Sequence, residues 1–433
     1  MSDNVDSVTL VAELVELALQ LEDYDPPGAF SLREEAGFFT EIPFRLPVHL
    51  NSGRVSLIEA LKLSHGAPAG RFLLATGATP NPSKSALKSA CAERTVQACL
   101  HGLDWRGAEL SVRCDPRELS PEVKASIGQS LALETRKHED EAASEFLLPW
   151  RRLPTRGPSH SEAGSHEVQD PPSIAAAETL GLASSLDLYE TALLAIFPTA
   201  CASRGLKLDD CTALVRGRGS WAFRVAESIQ ASFGSPVRVE LAGRRYRPAA
   251  NRAAPTYSQR GSQGQGRWET DEKDSSSQPE VTVLLGGTEP IDTLNSADVK
   301  SCLLFQVNRE TLTPGGENAL REKGIVVVPH LLLCSIEVLA ADSLADDDLS
   351  LSIAQSGTEE LSTLGAELRS GWRQRLLAAW ERVLARTKEE QCGAREAAVR
   401  IAAEALVQAS RGRLGAAKES PVSPEEPPPA PLP

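Results

Sequence analysis

The chain has 433 residues, enough for two domains, because a single hydrophobic core rarely grows past roughly 250 to 300 residues. Its 59 acidic against 45 basic side chains leave a formal charge of -14, which excludes nucleic acid as the main partner and carries no membrane-surface signal. The 8 cysteines are scattered, with no CxxC pair and no histidine at zinc-like spacing, so the expectation is reduced thiols and no metal.

Residues 1–37 hold one amphipathic pattern, 8–21, broken by Glu13 and Glu16. It reads as a helix rather than a signal or anchor, and the chain is expected to be cytoplasmic, with no membrane partner. In residues 38–152 short apolar runs (44–50, 71–75, 109–112) alternate with helical patterns such as 85–102, as in an α/β layer. A helix over 121–134 follows Ser120, a serine suited to capping it. Residues 153–185, rich in Pro, Gly, Ser and His to position 172, read as a flexible connector.

The second unit, 186–418, opens with a helical pattern over 186–203 in which Leu188, Ala192, Ala195 and Thr199 share a face and Gly205 lies past the end. Strand, glycine turn, helix and strand follow. Residues 249–279 carry almost no apolar side chains and are expected to be a disordered insertion. The runs 281–285, 301–307 and 324–328 have the continuous apolar character of parallel strands covered on both faces. Helices over 358–388 and 394–411 close the unit, and 419–433 is a Pro-rich tail with no means of making a core.

The stretch from Cys211 to Ala222 is the most informative. An apolar strand ends in Gly217-Arg218-Gly219, a helix begins at once with Ser220, Trp221 and Ala222, and a second strand over 237–241 follows. This is the opening of a dinucleotide-binding unit, in which Gly217 would permit a tight turn and Gly219 a close approach to a pyrophosphate at the helix N-terminus. Ala222 stands where a third glycine is usual, and the second strand ends in Ala242, where an NAD site usually has a ribose-binding acid. Phosphate binding and a turn inherited from the fold are both compatible with these residues. Arg244, Arg245 and Arg247 past that strand would suit a 2′-phosphate, hence NADP over NAD; a solvated charge run is the competing reading.

Three separated segments together resemble the glutamate/leucine/phenylalanine/valine dehydrogenase family, over roughly residues 38–411. The stretch from Leu303 to Pro314, with Ala319 to His330 after it, is similar to the family's EGANxPxTxxA…LxxxGIxVxPD. Trp105 to Pro116, with Leu119-Ser120, is similar to GGxKGGIxxDPxxLS, and Arg395 to Gly412 resembles the C-terminal LRxAAY…A…RG helix. The resemblance implies an α/β chain with an N-terminal mixed-sheet substrate-type domain and a C-terminal Rossmann-like NAD(P)-binding domain, whose last helices pack back on the first. It also implies NAD or NADP as cofactor and amino acid oxidative deamination as the family's activity.

At the chemical positions the chain departs from that pattern. The lysine inside GGxKGG, which in the family activates the attacking water, is Glu109, and the lysine one helix earlier, which binds the substrate carboxylate, is Gln97. GPxKGGxR shrinks to 66–71, without lysine but with Arg71, and the proton-transferring aspartate of PAPD corresponds to Arg152. Asn308 matches the asparagine after the family's strand, whereas PDxxxNxGG becomes Pro329 to Glu337, without the asparagine and both glycines and filled with apolar residues. A carboxylate at 109 reverses the electrostatics that the reaction uses. The expectation is a catalytically degenerate family protein that keeps a dinucleotide or other small-molecule site, as a homo-oligomer or in assembly with an active relative. The alternative is an active NAD(P)-dependent amino acid oxidoreductase of altered specificity. There Glu109 and a histidine, His65 or His101, would take over acid–base work; core histidines are the plainer reading of those two.

Overall fold

The structure, a computed structural model, describes residues 37–50, 52–66, 71–78, 83–115, 118–137, 144–147, 185–217, 219–241, 244–248, 268–270, 278–287, 289–346, 349, 352–353, 356 and 358–419, together with Leu10, Leu14 and Glu16. Leu10 and Leu14 are helical and buried, and Glu16 is exposed, the one-sided pattern expected over 8–21. The connector 153–184 and the tail 420–433 lie outside the described residues, as do Arg152 and Arg218.

The first domain is a five-stranded mixed sheet in the order β1-β2-β4-β3-β5. Its strands are β1 (Phe39–His49), β2 (Val55–His65), β3 (Arg71–Ala78), β4 (Trp105–Val112) and β5 (Ser144–Leu147). β2 runs antiparallel to β1 and β4, while β3 runs parallel to β4 and β5. Helix α1 (Lys84–Cys99) covers one face and α2 (Pro121–Lys137) the other. Val123, Ile127 and Leu131 of α2, at helical spacing, pack on Leu46, Val48, Leu74, Ala108 and Leu110. Strand β2 is absent from the reading above because Leu57, Ile58, Leu61 and Leu63 alternate with no clean period.

β1 is the edge strand, and Gly66 N–H donating to the Phe38 carbonyl (2.9 Å) sets its phase. Even-numbered β1 residues bond to β2, so odd-numbered ones aim their backbone groups away from the sheet. Pro43 and Pro47 occupy two of those positions. Ser130 Oγ donates to the Pro47 carbonyl (2.5 Å) and His49 N–H donates to Ser126 Oγ (2.8 Å), so α2 covers the end of the edge.

The second domain is a seven-stranded sheet in the order β12-β11-β10-β6-β7-β8-β9. The strands β6 (Ala213–Gly217), β7 (Val237–Leu241), β10 (Val281–Leu284), β11 (Leu303–Gln306) and β12 (Val326–Val328) are parallel, and β8 (Arg244–Pro248) and β9 (Trp268–Thr270) add an antiparallel margin. β9 falls inside 249–279 and corrects the expectation of a wholly disordered insertion, because Trp268 and Thr270 are strand-forming residues in an otherwise polar run and pair with β8. The rest of that insertion lies outside the described residues.

Helix α3 (Ser185–Ser203) buries Leu188, Ala192, Leu193, Ile196, Phe197 and Ala200. Ala195 and Thr199 are only half-buried, so the apolar face is turned from the predicted one toward Phe197, which stacks between Phe233 and Phe305. The remaining helices are α4 (Gly219–Phe233), α5 (Pro314–Glu322), α6 (His330–Cys334), α7 (Ile336–Leu344), α8 (Thr358–Glu390) and α9 (Ala394–Glu419). α9 packs on α1, and Arg382 of α8 donates to the Leu100 carbonyl, so the C-terminal helices return to the first domain as expected.

Between α8 and α9, Gln391 sits at φ 52°, a left-handed conformation at a helix C-terminus. A side chain costs roughly 1–2 kcal/mol there and a glycine loses roughly 0.5–1 kcal/mol on folding. Gln391→Gly is therefore expected to stabilise the chain by about 0.5–1 kcal/mol, read as a higher urea midpoint at unchanged slope. An unchanged or lower midpoint would show that the Gln391 side chain makes compensating contacts.

Candidate functional site

Strand order reverses between β6 and β10, and in sheets of this kind ligands bind in the crevice outside the C-terminal ends of the strands at such a point. Gly217 and Gly219 lie at this point, but the turn expected at Gly217 falls at Gly219. Gly219 is the turn residue, at φ +64°, with open space around its missing side chain among the described residues. Gly217 is the packing residue: a Cβ there would lie 3.1 Å from Leu285 Cβ and 3.2 Å from the Cβ of Ala222. Ala222 is buried, Ser220 exposed and Trp221 half-buried. The Trp221 indole N–H is shielded from solvent and has no hydrogen-bond partner among the described residues.

Across from them lies Asn308, expected from the sequence, beside two glycines that the sequence reading missed. Gly286 and Gly287 follow β10 at φ +108° and +75°, and a side chain on Gly286 would meet Asn308 Nδ2 at 2.9 Å. Asn308 caps a short 3-10 turn (Arg309–Thr311), its Oδ1 accepting from Glu310 N–H at 2.9 Å. On the far wall Arg216 Nε bonds Glu240 Oε1 at 3.1 Å across β6 and β7, so the acidic group on the second strand is tied up by protein.

Glu109 stands on β4 opposite Leu63 and Ala75. Arg94 of α1 contacts it directly, Nη1 to Oε1 at 2.5 Å, with the two side chains only 8% and 12% exposed. The carboxylate is thus a partner in a buried ion pair. Gly107, two residues earlier, lets α1 approach the strand: a Cβ there would lie 2.0 Å from the Cys91 carbonyl oxygen. Gln97 is buried, and its Nε2 donates to Glu93 Oε1 at 3.4 Å.

Glu93 brings the domains together. Its Oε1 lies 3.3 Å from His330 Nε2 and its Oε2 accepts from Arg309 at 3.4 Å, while His330 Nδ1 is 3.4 Å from Gln306 Oε1. Burial pushes the Glu93 carboxyl up, but His330, Arg309 and Arg94 overcome this and hold it down at about 2. The cavity at this junction offers about 40 Å³ to the centres of water-sized molecules, against roughly 300–1,000 Å³ for ordinary ligand pockets. Behind it Leu331, Leu332, Leu333 and Ile336 are fully buried. The apolar run from Pro329 to Glu337 has become α6 and the start of α7, where a glycine-rich loop stands in the family pattern.

Both candidate histidines are bonded to other protein side chains. His65 is buried, with Nδ1 2.9 Å from Thr95 Oγ1 and its ring against Phe39. His101 Nε2 meets Ser335 Oγ at 2.7 Å, and burial, with Arg375 and Arg382 nearby, lowers its pKa to about 3. His101 therefore folds neutral, whereas the unfolded chain protonates it below about 6.5. The unfolded state binds the extra proton, so stability is present above pH 6.5 and falls between 6.5 and about 3. His101→Gln is expected to flatten urea stability against pH between 6.5 and 5, above the window in which Glu93 titrates; an unchanged slope would rule out this source. Cys91 and Cys114 thiols are pushed up by burial and are poor nucleophiles.

Among the described residues, no group of three or more His, Cys, Asp or Glu side chains is placed to hold a metal, and no helix is long and apolar enough to cross a membrane.

No family model matches the sequence, and no curated protein is similar to it at the sequence level. Solved structures are similar over nearly the whole chain. The hetero-hexameric glutamate dehydrogenase of Thermus thermophilus in its Leu-bound form is 20% identical with a TM-score of 0.64, over 95% of this chain and 98% of that one. Glutamate dehydrogenase of Peptoniphilus asaccharolyticus is 15% identical with a TM-score of 0.64, over 94% and 99%. That of Plasmodium falciparum is 14% identical with a TM-score of 0.66, over 95% and 91%. The chain has a glutamate-dehydrogenase-like amino acid dehydrogenase fold, with the mixed-sheet and parallel-sheet domains expected.

Proposed function

We propose that this chain is a catalytically silent relative of the amino acid dehydrogenases, keeping the phosphate end of a dinucleotide site and serving as a binding, regulatory or assembly subunit. The observation that carries the reading is the buried Arg94–Glu109 pair, 2.5 Å across, at the position where the family pattern has its catalytic lysine. A carboxylate neutralised by an arginine neither polarises an imine through positive charge nor stands free as a base. Gln97 beside Glu93 likewise offers no cation to a substrate carboxylate.

Dinucleotide fit divides along the crevice. The open space at Gly219, the N-terminus of α4 and the glycines at 286 and 287 suit a pyrophosphate approaching backbone. At the nicotinamide end the loop has been replaced by buried α6, and the 40 Å³ cavity beside it is too small for the ring. A bound NAD or NADP would therefore be held by its adenosine diphosphate half alone. The Thermus thermophilus relative is hetero-hexameric, and assembly with an active relative, or with copies of itself, is the setting in which such a subunit would act.

Calorimetry with NAD, NADP and ADP, followed by NAD(P)H absorbance with glutamate, leucine, valine and phenylalanine, tests this. The expected result is ADP binding within about threefold of the better dinucleotide, since only that half makes contacts, and no reduced cofactor. Turnover with any of the amino acids would overturn the reading. Failure of all three nucleotides to bind at millimolar concentration would remove its binding component.

A further inference from the structure

We infer that Glu93 is the keystone of a latch that holds the two domains in a single closed arrangement, whether or not a dinucleotide binds. Glu93 projects from the first domain and meets Arg309 and His330, both from the second, at 3.4 and 3.3 Å. Gln97 from its own helix and Gln306 behind His330 complete the network.

Further contacts along the same seam join first-domain to second-domain residues. Trp105 Nε1 donates to Asp342 at 2.8 Å, and His101 meets Ser335 at 2.7 Å. Leu73, Ala75, Ala98 and Trp105 form one apolar cluster with Val338 and Ala341.

These two kinds of contact do different work. Apolar contact favours closure but is indifferent to small slides of one surface over the other. Charged groups taken out of water add little net attraction, yet an arrangement that separates them while they stay buried is strongly disfavoured. The apolar cluster closes the seam and the Glu93 network fixes its register. Glu93→Gln keeps the shape, removes the charge and leaves Arg309 and His330 facing an amide.

Hydrogen exchange on the full chain, without nucleotide, reads this directly. Glu93→Gln should raise exchange at least tenfold in 330–334 and 309–311, on the second-domain side of the seam, while β6 and α2 keep wild-type rates. Arg309→Gln, whose side chain is 37% exposed, should give the same pattern more weakly and decides the matter if Glu93→Gln does not fold. Unchanged exchange at the seam would overturn the latch, as would acceleration spread evenly over both domains, the mark of a residue acting only on global stability. Because no nucleotide is present, either outcome is separate from the fate of the proposed binding function.

Discussion

Glu109→Lys, the substitution that would restore the family's lysine, is expected to abolish folding or to cost about 3–5 kcal/mol rather than return activity. Arg94 Nη1 already lies 2.5 Å from the carboxylate, in a site where both side chains are nearly solvent-free. An ammonium there would face a guanidinium at contact distance with little water to screen it. Glu109→Ala should be nearly as damaging, because it strands Arg94 without the carboxylate it touches. The double variant Arg94→Met/Glu109→Met should fall short of either single loss, since exchanging a whole buried pair for apolar groups is often neutral. Urea unfolding of Arg94→Met, Glu109→Met and the double variant measures the coupling. Additive losses would mean that the two side chains act independently, and the strongest support for catalytic silence would go. Any attempt to rebuild the chemistry must therefore change position 94 together with 109.

Gly107→Ala is expected to destabilise the first domain by about 3 kcal/mol or more, at the upper end of overpacking costs. The added methyl would stand 2.0 Å from the Cys91 carbonyl oxygen and 2.8 Å from Arg94 Cβ. Neither obstacle is the far end of a flexible chain. Relief requires α1 to withdraw from β4, and Arg94 and Glu93 travel with it. The variant should therefore lose thermal stability and speed hydrogen exchange at the Glu93 seam together. Gly128 in α2, with none of the described residues near its missing side chain, supplies the contrast: Gly128→Ala should be neutral or stabilising by up to about 1 kcal/mol. Equal melting temperatures for the two alanine variants would show that the backbone yields at Gly107.

Most elements were legible because each carries a local signal. The run 237–241 coincides with β7, and Gly205, at φ +69°, ends α3 as its position suggested. Helices α6 and α7 were not legible as helices, since His330 to Leu344 is mostly apolar and buried and its few polar residues mark no regular polar face to read. The turn falls at Gly219 instead of Gly217 because motif spacing carries no φ and no neighbours; Leu285, which crowds Gly217, lies just past β10. The substitutions at 97 and 109 were visible, but what neutralises Glu109 was not. Arg94 is one of many arginines until the helix is laid against the strand. The Glu93 seam lay deepest, its partners Arg309 and His330 being distant in the chain and brought near only by domain packing.

The protected margin of the first sheet has a consequence for solution behaviour. An eleven-residue edge strand would ordinarily act as a template on which another extended segment could lengthen the ladder, the usual route to runaway self-association. Here Pro43 and Pro47 each delete an outward donor, and Ser126 and Ser130 satisfy the groups at His49 and Pro47. Only the stretch from Phe39 to Arg45 keeps a partly usable row of backbone groups, too short and interrupted for a continuous cross-chain ribbon. A neighbour seated against this side must recognise side chains, which carry identity, instead of main chain, which any sequence can match. The margin thereby favours a selected companion over indiscriminate stacking.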